Sequence, residues 1–110
     1  MSDILNLDVL RPLYADEPEA LVDLVRDAVR TSASLVERLE ASTGAEIESA
    51  GHLAHELKGL CSTIGANEVA SVAEEIESGA KSGNWDQIAA RLGALRAAHE
   101  RFVAAAAAMA

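Results

Sequence analysis

Apolar positions recur along this chain at intervals of three and four residues, and that spacing divides it into helices. Ile4, Leu7, Leu10 and Leu13 predict a short N-terminal helix within residues 1–16, broken near Pro12 and capped by Asp3 or Asp8. Leu21, Leu24, Val25, Ala28, Leu35 and Leu39 then draw a long stripe over 17–42. Asp16 is its expected cap, Glu17 and Glu19 suit its first turn, and Pro18 is tolerated there. Thr31, Ser32 and Ser34 interrupt the stripe and read as a solvated face, and Ser42-Thr43-Gly44 ends it. A central helix over 45–64 carries Leu53, Leu57, Leu60 and Ile64 on one side and closes at Gly65. Asn67 is the expected cap of a shorter helix over 68–80, with Val69, Val72, Ala73 and Ile76 inward. Residues 79–84 form a turn, and Asn84 caps a last helix that starts near Trp85 and runs through Ile88, Leu92, Leu95, Phe102 and Val103. Its alanine-rich end, 104–110, is expected to fray.

Both prolines lie in the first 18 residues, and no alternating β-branched run appears anywhere. The fold class is therefore all-α. Short connections between four substantial helices predict an antiparallel up-and-down four-helix bundle with a short N-terminal helix. The 110 residues suit one domain, 1–110, with a modest core. Much of the apolar half of the chain is alanine, and the aromatics are only Tyr14, Trp85 and Phe102.

Charge narrows the partners. A net charge of −9 argues against nucleic acid, whose phosphates require clustered Lys and Arg, and against anionic membrane surfaces. The sequence contains no run of about 18 apolar residues, the length that spans a bilayer. The acidic N-terminus, without a basic region, predicts no signal peptide. Cys61 stands alone and lies on the flank of the apolar stripe, as a buried structural thiol would. These features predict a cytoplasmic protein.

The candidate chemistry lies in 52–66, His-Leu-Ala-His-Glu-Leu-Lys-Gly-Leu-Cys-Ser-Thr-Ile-Gly-Ala. At about 100° per residue, Leu53, Leu57, Leu60 and Ile64 fall opposite His55. Gly51, Gly59 and Ser62 share the face of His55, with Lys58 and His52 on its two flanks. An interior glycine costs roughly 1 kcal/mol relative to alanine, so a helix that only packed would not place two there. The small residues leave room for another protein's backbone. A neutral imidazole is nucleophilic, and Lys58, one turn away, can offset the charge of a phosphoryl group on the ring. A metal site is disfavoured: His52 and His55 lack a third ligand at a recognised spacing, and residue 59 is glycine where a His-Glu-x-x-His motif needs histidine. His99 reads as a surface residue without a partner.

Ala54-His55-Glu56-Leu57-Lys58-Gly59, followed by Ile64-Gly65-Ala66, resembles the signature of the histidine-containing phosphotransfer (HPt) domain family. Val69, Val72 and Ile76-Glu77 downstream resemble the inward positions of the family's next helix, and Asp16-Glu17-Pro18-Glu19 the acidic start of its long second helix. Leu60 and Cys61 depart from the small residues many members carry after Lys-Gly; Leu60 points inward, so little functional effect is expected. The resemblance implies a phosphocarrier, not an enzyme with its own nucleotide site. His55 would accept a phosphoryl group, at Nε2, from the aspartate of a response-regulator receiver domain or a hybrid sensor kinase, and pass it to another. Mg²⁺ would come from the receiver, so the chain needs no cofactor. Lys58 would screen the phosphate and Gly59 would clear the approach. Ser62 is either a solvent-facing serine or a donor to a phosphoryl oxygen. Glu77 would accept the other ring N–H of His55. The family-like state is a monomer. Two other classes fit the residues less well: a histidine-kinase dimerisation hairpin, whose proline after His-Glu-Leu is missing here, and a receiver-binding scaffold without phosphotransfer, disfavoured by the presence of both His55 and Lys58.

Overall fold

The computed structural model describes residues 3–109. It is helical, with no strand among the described residues: α1 spans Pro18–Ala41, α2 Ile47–Ile64, α3 Asn67–Lys81 and α4 Trp85–Ala107. Successive helices pack on one another and α4 packs back on α1, which closes a four-helix bundle. The extents of 47 × 20 × 19 Å are those of an elongated bundle two helices across in each width. Leu35, Leu39, Leu57, Ile76, Ile88, Leu95 and Phe102 fill the centre. No helix is long and apolar enough to cross a membrane among the described residues.

The helix ends differ from the sequence expectation in instructive ways. Asn84 caps α4 as expected, its Oδ1 accepting from Gln87 N–H at 3.2 Å. Asp16 does not cap α1; Glu17 holds that position without a side-chain bond, because Pro18 supplies the fixed φ and removes one orphan donor. Asn67 is the first residue of α3, not its cap. The Glu68 N–H is met instead by the Asp3 carbonyl at 2.8 Å. The connection before α2 holds a 3-10 turn, Gly44–Glu46, closed by a reciprocal Thr43–Glu46 capping box.

The expected N-terminal helix is reduced to one 3-10 turn, Arg11–Tyr14. Pro12 removes a donor, and residues 3–7 are used otherwise: Leu7 is buried, and the Asn6 N–H donates to the Gly65 carbonyl at 2.9 Å. Leu13 and Val9 are left exposed. Gly65 is required twice over at this junction. Its φ of +88° is left-handed, and a Cβ there would lie 1.9 Å from the Asn6 carbonyl oxygen.

Two polar positions are placed contrary to expectation. Ser32 is fully buried and His99 is only 3% exposed. The Ser32 hydroxyl donates to the Val29 carbonyl at 3.0 Å, and its oxygen lies 2.8 Å from His99 Nε2, joining α1 to α4 in the core. Phe102 packs edge-on against the His99 ring at 6.0 Å. Burial, with the Arg96 charge nearby, pushes the His99 pKa down. Leu24, expected inward, is exposed.

Candidate functional site

The site begins with two helices in contact. α2 and α3 form the most extensive pairing in the bundle, and Gly51 allows it: a Cβ at Gly51 would come within 2.8 Å of the Ala80 methyl. Gly51 therefore serves helix approach, and it also lines the groove beside His55. Gly59 differs, since a Cβ there would meet nothing within 4 Å. No contact within the fold requires a glycine at that exposed position.

This approach brings His55 and Lys58 of α2 against Glu77 of α3. The Glu77 side chain is 9% exposed, and its two oxygens are divided between partners. Oε2 lies 2.6 Å from His55 Nδ1, and Oε1 accepts from Lys58 Nζ at 2.7 Å. The hydrogen bond from Lys58 is the main cause that holds the Glu77 pKa below its ordinary value, with the His55 bond adding to it against desolvation. The Lys58 pKa is raised in turn by the same bond. An ionised carboxylate only accepts, so Nδ1 carries the ring proton of His55. Nε2 is then the bare nitrogen. The side chain is 70% exposed, and Nε2 has no hydrogen-bond partner among the described residues.

Other candidates fall outside this triad. Ser62 is exposed, with no side-chain hydrogen bond among the described residues. His52 is exposed and lies 3.9 Å from Glu48. Cys61 is buried as expected, and desolvation pushes its thiol pKa up to about 12, so it is not a nucleophile. Sequence reading missed Lys81, whose Nζ stands 3.9 Å from Glu77 Oε2. Two signals pointed to it: it lies four residues beyond Glu77 on one helix face, and it is one of only two lysines in the chain.

A helical bundle that presents an outward imidazole, anchored from behind by a buried carboxylate and flanked by lysine, has the form of a histidine phosphotransfer module. The sequence matches the family model described as Hpt domain over residues 21–105, and the chain belongs to that family. No curated protein and no solved structure matches it. Membership implies a histidine phosphotransfer role in phosphorelays, and interaction with response-regulator receiver domains or kinases.

Proposed function

We propose that this protein is a phosphocarrier in which His55 Nε2 exchanges a phosphoryl group with receiver-domain aspartates. The observation that carries the reading is the orientation of one ring: Nδ1 bound to buried Glu77, Nε2 facing solvent. In the transfer, the Nε2 lone pair forms an N–P bond. The P–O bond to the aspartate breaks, and its electron pair leaves with the aspartate carboxylate. The proton stays on Nδ1, where Glu77 faces the positive charge that the ring gains. The return step reverses each change. Positioning and electrostatics suffice for such a loose transition state. Mg²⁺ belongs to the receiver partner. A hybrid sensor kinase with its own receiver domain presents the same aspartate chemistry. The exchange involves this chain as a cytoplasmic monomer, and its short connections support an antiparallel up-and-down order of the helices.

The test is a receiver domain phosphorylated with labelled acetyl phosphate and mixed with the protein. Label should move to the wild type as an acid-labile, alkali-stable species and should not reach His55→Gln. If label never moves, the protein is a receiver-binding scaffold; if it still reaches His55→Gln, the wrong residue has been assigned.

Gly59 supplies a separate expectation. Gly59→Gln should raise stability by about 0.5–1 kcal/mol through helix propensity, because nothing in the fold opposes the added side chain. The same change should weaken receiver binding, since the side chain stands on the approach face. Urea unfolding and a receiver titration check the two halves; a more stable variant with unchanged receiver affinity removes Gly59 from the docking surface.

A further inference from the structure

The chain has two lysines, and both address one carboxylate. Elsewhere its cross-helix ion pairs use arginine: Arg91 with Glu75, Arg96 with Glu40 and Arg101 with Glu68. The two lysine contacts differ in kind. Lys58 is 30% exposed and hydrogen-bonded to Glu77 Oε1 at 2.7 Å. Lys81 is 75% exposed, and its 3.9 Å contact with Oε2 is Coulombic only. Oε2 is already taken by His55 Nδ1. Lys81 is thus the loosely held cation of the pair.

Position separates them as well. A groove of about 290 Å³ between α2 and α3 is lined by His55, Glu77 and Lys81 together with Glu48, Gly51, His52 and Ala80. Lys58 lies one turn from His55 in the other direction along α2, outside this groove. Glu77 faces both ammonium groups and Glu74 adds its charge at Lys58, whereas Lys81 makes no hydrogen bond to either groove carboxylate, Glu48 or Glu77, among the described residues. A phosphoryl group brings a charge of about −1.5 to −2 at neutral pH.

We propose that Lys81 is a phosphoryl-holding residue, which leaves Glu77 Oε2 for an oxygen of the phosphoryl group once that group is on His55 Nε2. The inference rests on the phosphocarrier reading of His55. It divides the work of the lysines. Lys58 keeps Glu77, and through it the ring, in place. Lys81 meets the phosphoryl group directly from the groove side. Contact with Lys81 stabilises the phosphoryl group more than the metaphosphate-like transition state of its hydrolysis, in which oxygen charge is reduced. Lys81 therefore prolongs the phosphorylated state. No covalent bond beyond the N–P bond forms or breaks.

Potassium phosphoramidate phosphorylates imidazoles directly and needs no receiver, so it tests Lys81 apart from the relay. The full chain is treated with it and followed by ³¹P NMR, with His55→Gln identifying the His55 signal against His52 and His99. Loss of one exposed ion contact corresponds to about a 1.5- to fivefold change in rate. Phosphorylated Lys81→Ala should lose its His55 phosphoryl group that much faster than wild type, and the group should titrate at higher pH. Lys81→Arg should restore both properties and Lys81→Gln neither. A Lys81→Ala protein with wild-type lifetime and titration overturns the inference, as does equal rescue by Gln and Arg. Absence of any His55 signal overturns this inference together with the carrier reading. A His55 signal without transfer from a phosphorylated receiver overturns the carrier reading alone.

Discussion

Glu77→Ala is expected to slow phosphoryl transfer onto His55 by about 10- to 100-fold while leaving the helical signal intact, the scale at which an orienting group acts through the residue it positions. In the native site Glu77 Oε2 lies 2.6 Å from Nδ1 and accepts its proton in a hydrogen bond, which fixes both the tautomer and the ring plane. Without it either nitrogen can carry the proton, and the ring turns freely about χ2. The positive charge that develops on the ring during attack then has only water to meet it. Glu77→Gln separates these contributions. Its amide oxygen can still accept from Nδ1 and keep the orientation, but the negative charge is gone, so its rate should fall between wild type and Glu77→Ala. Rapid-quench measurement of label transfer from a phosphorylated receiver gives all three rates. A wild-type rate in Glu77→Ala would end the anchoring argument; a wild-type rate in Glu77→Gln would end the charge argument. The pH dependence has a definite sign. The native pKa of Glu77 is depressed, chiefly by Lys58, so its stabilisation is present above the ordinary carboxylate value and is lost as pH falls through the lowered native value.

The α2 half of this site was readable from spacing. Three-residue separation puts His55 and Lys58 on one helix face, and the alternation of apolar positions gives α1 to α4 to within a few residues. Glu77 required the family resemblance, because its pairing with His55 depends on how α3 lies against α2 and periodicity alone does not supply that. Lys81 was missed for a different, local reason: the turn assigned to 79–84 took it out of the helix, whereas α3 runs through it and places it one turn from Glu77. The N-terminal segment misled because its backbone is spent at the α2–α3 junction, through Asp3 and Asn6, and only Leu7 of its apolar positions is fully buried while Leu13 stays exposed. The buried pair Ser32–His99 was legible but set aside on residue type. Positions 21, 25, 28, 32, 35 and 39 follow one unbroken four-three alternation, as do 88, 92, 95, 99, 102 and 106, so both polar residues stand on core stripes. A serine in a helix can donate to a preceding carbonyl, as Ser32 does to Val29, and so loses much of the cost of burial.

That pair carries the largest stability effects expected outside the apolar core. Ser32→Ala leaves the His99 Nε2 without its 2.8 Å partner in the interior and should cost about 1–3 kcal/mol, the range for an orphaned buried polar group. Replacing both residues, Ser32→Ala with His99→Leu, removes the polar group and its need together and should recover most of that loss. Acid separates the variants further. The native pKa of His99 is lowered, first by desolvation and then by Arg96, while Glu40 and Glu100 oppose the shift. The unfolded chain therefore takes up the proton first. Wild-type stability should be full above about pH 6.5, the ordinary histidine value, and should decline as pH falls from there toward the lowered native pKa. Urea unfolding followed by circular dichroism at pH 7.5 and 5.5 measures this slope. The double variant should keep only the part of the slope that comes from other groups. If it loses as much stability as wild type between these two pH values, His99 is not the titrating group. The pairing would then be a packing device between α1 and α4 and not a source of acid sensitivity.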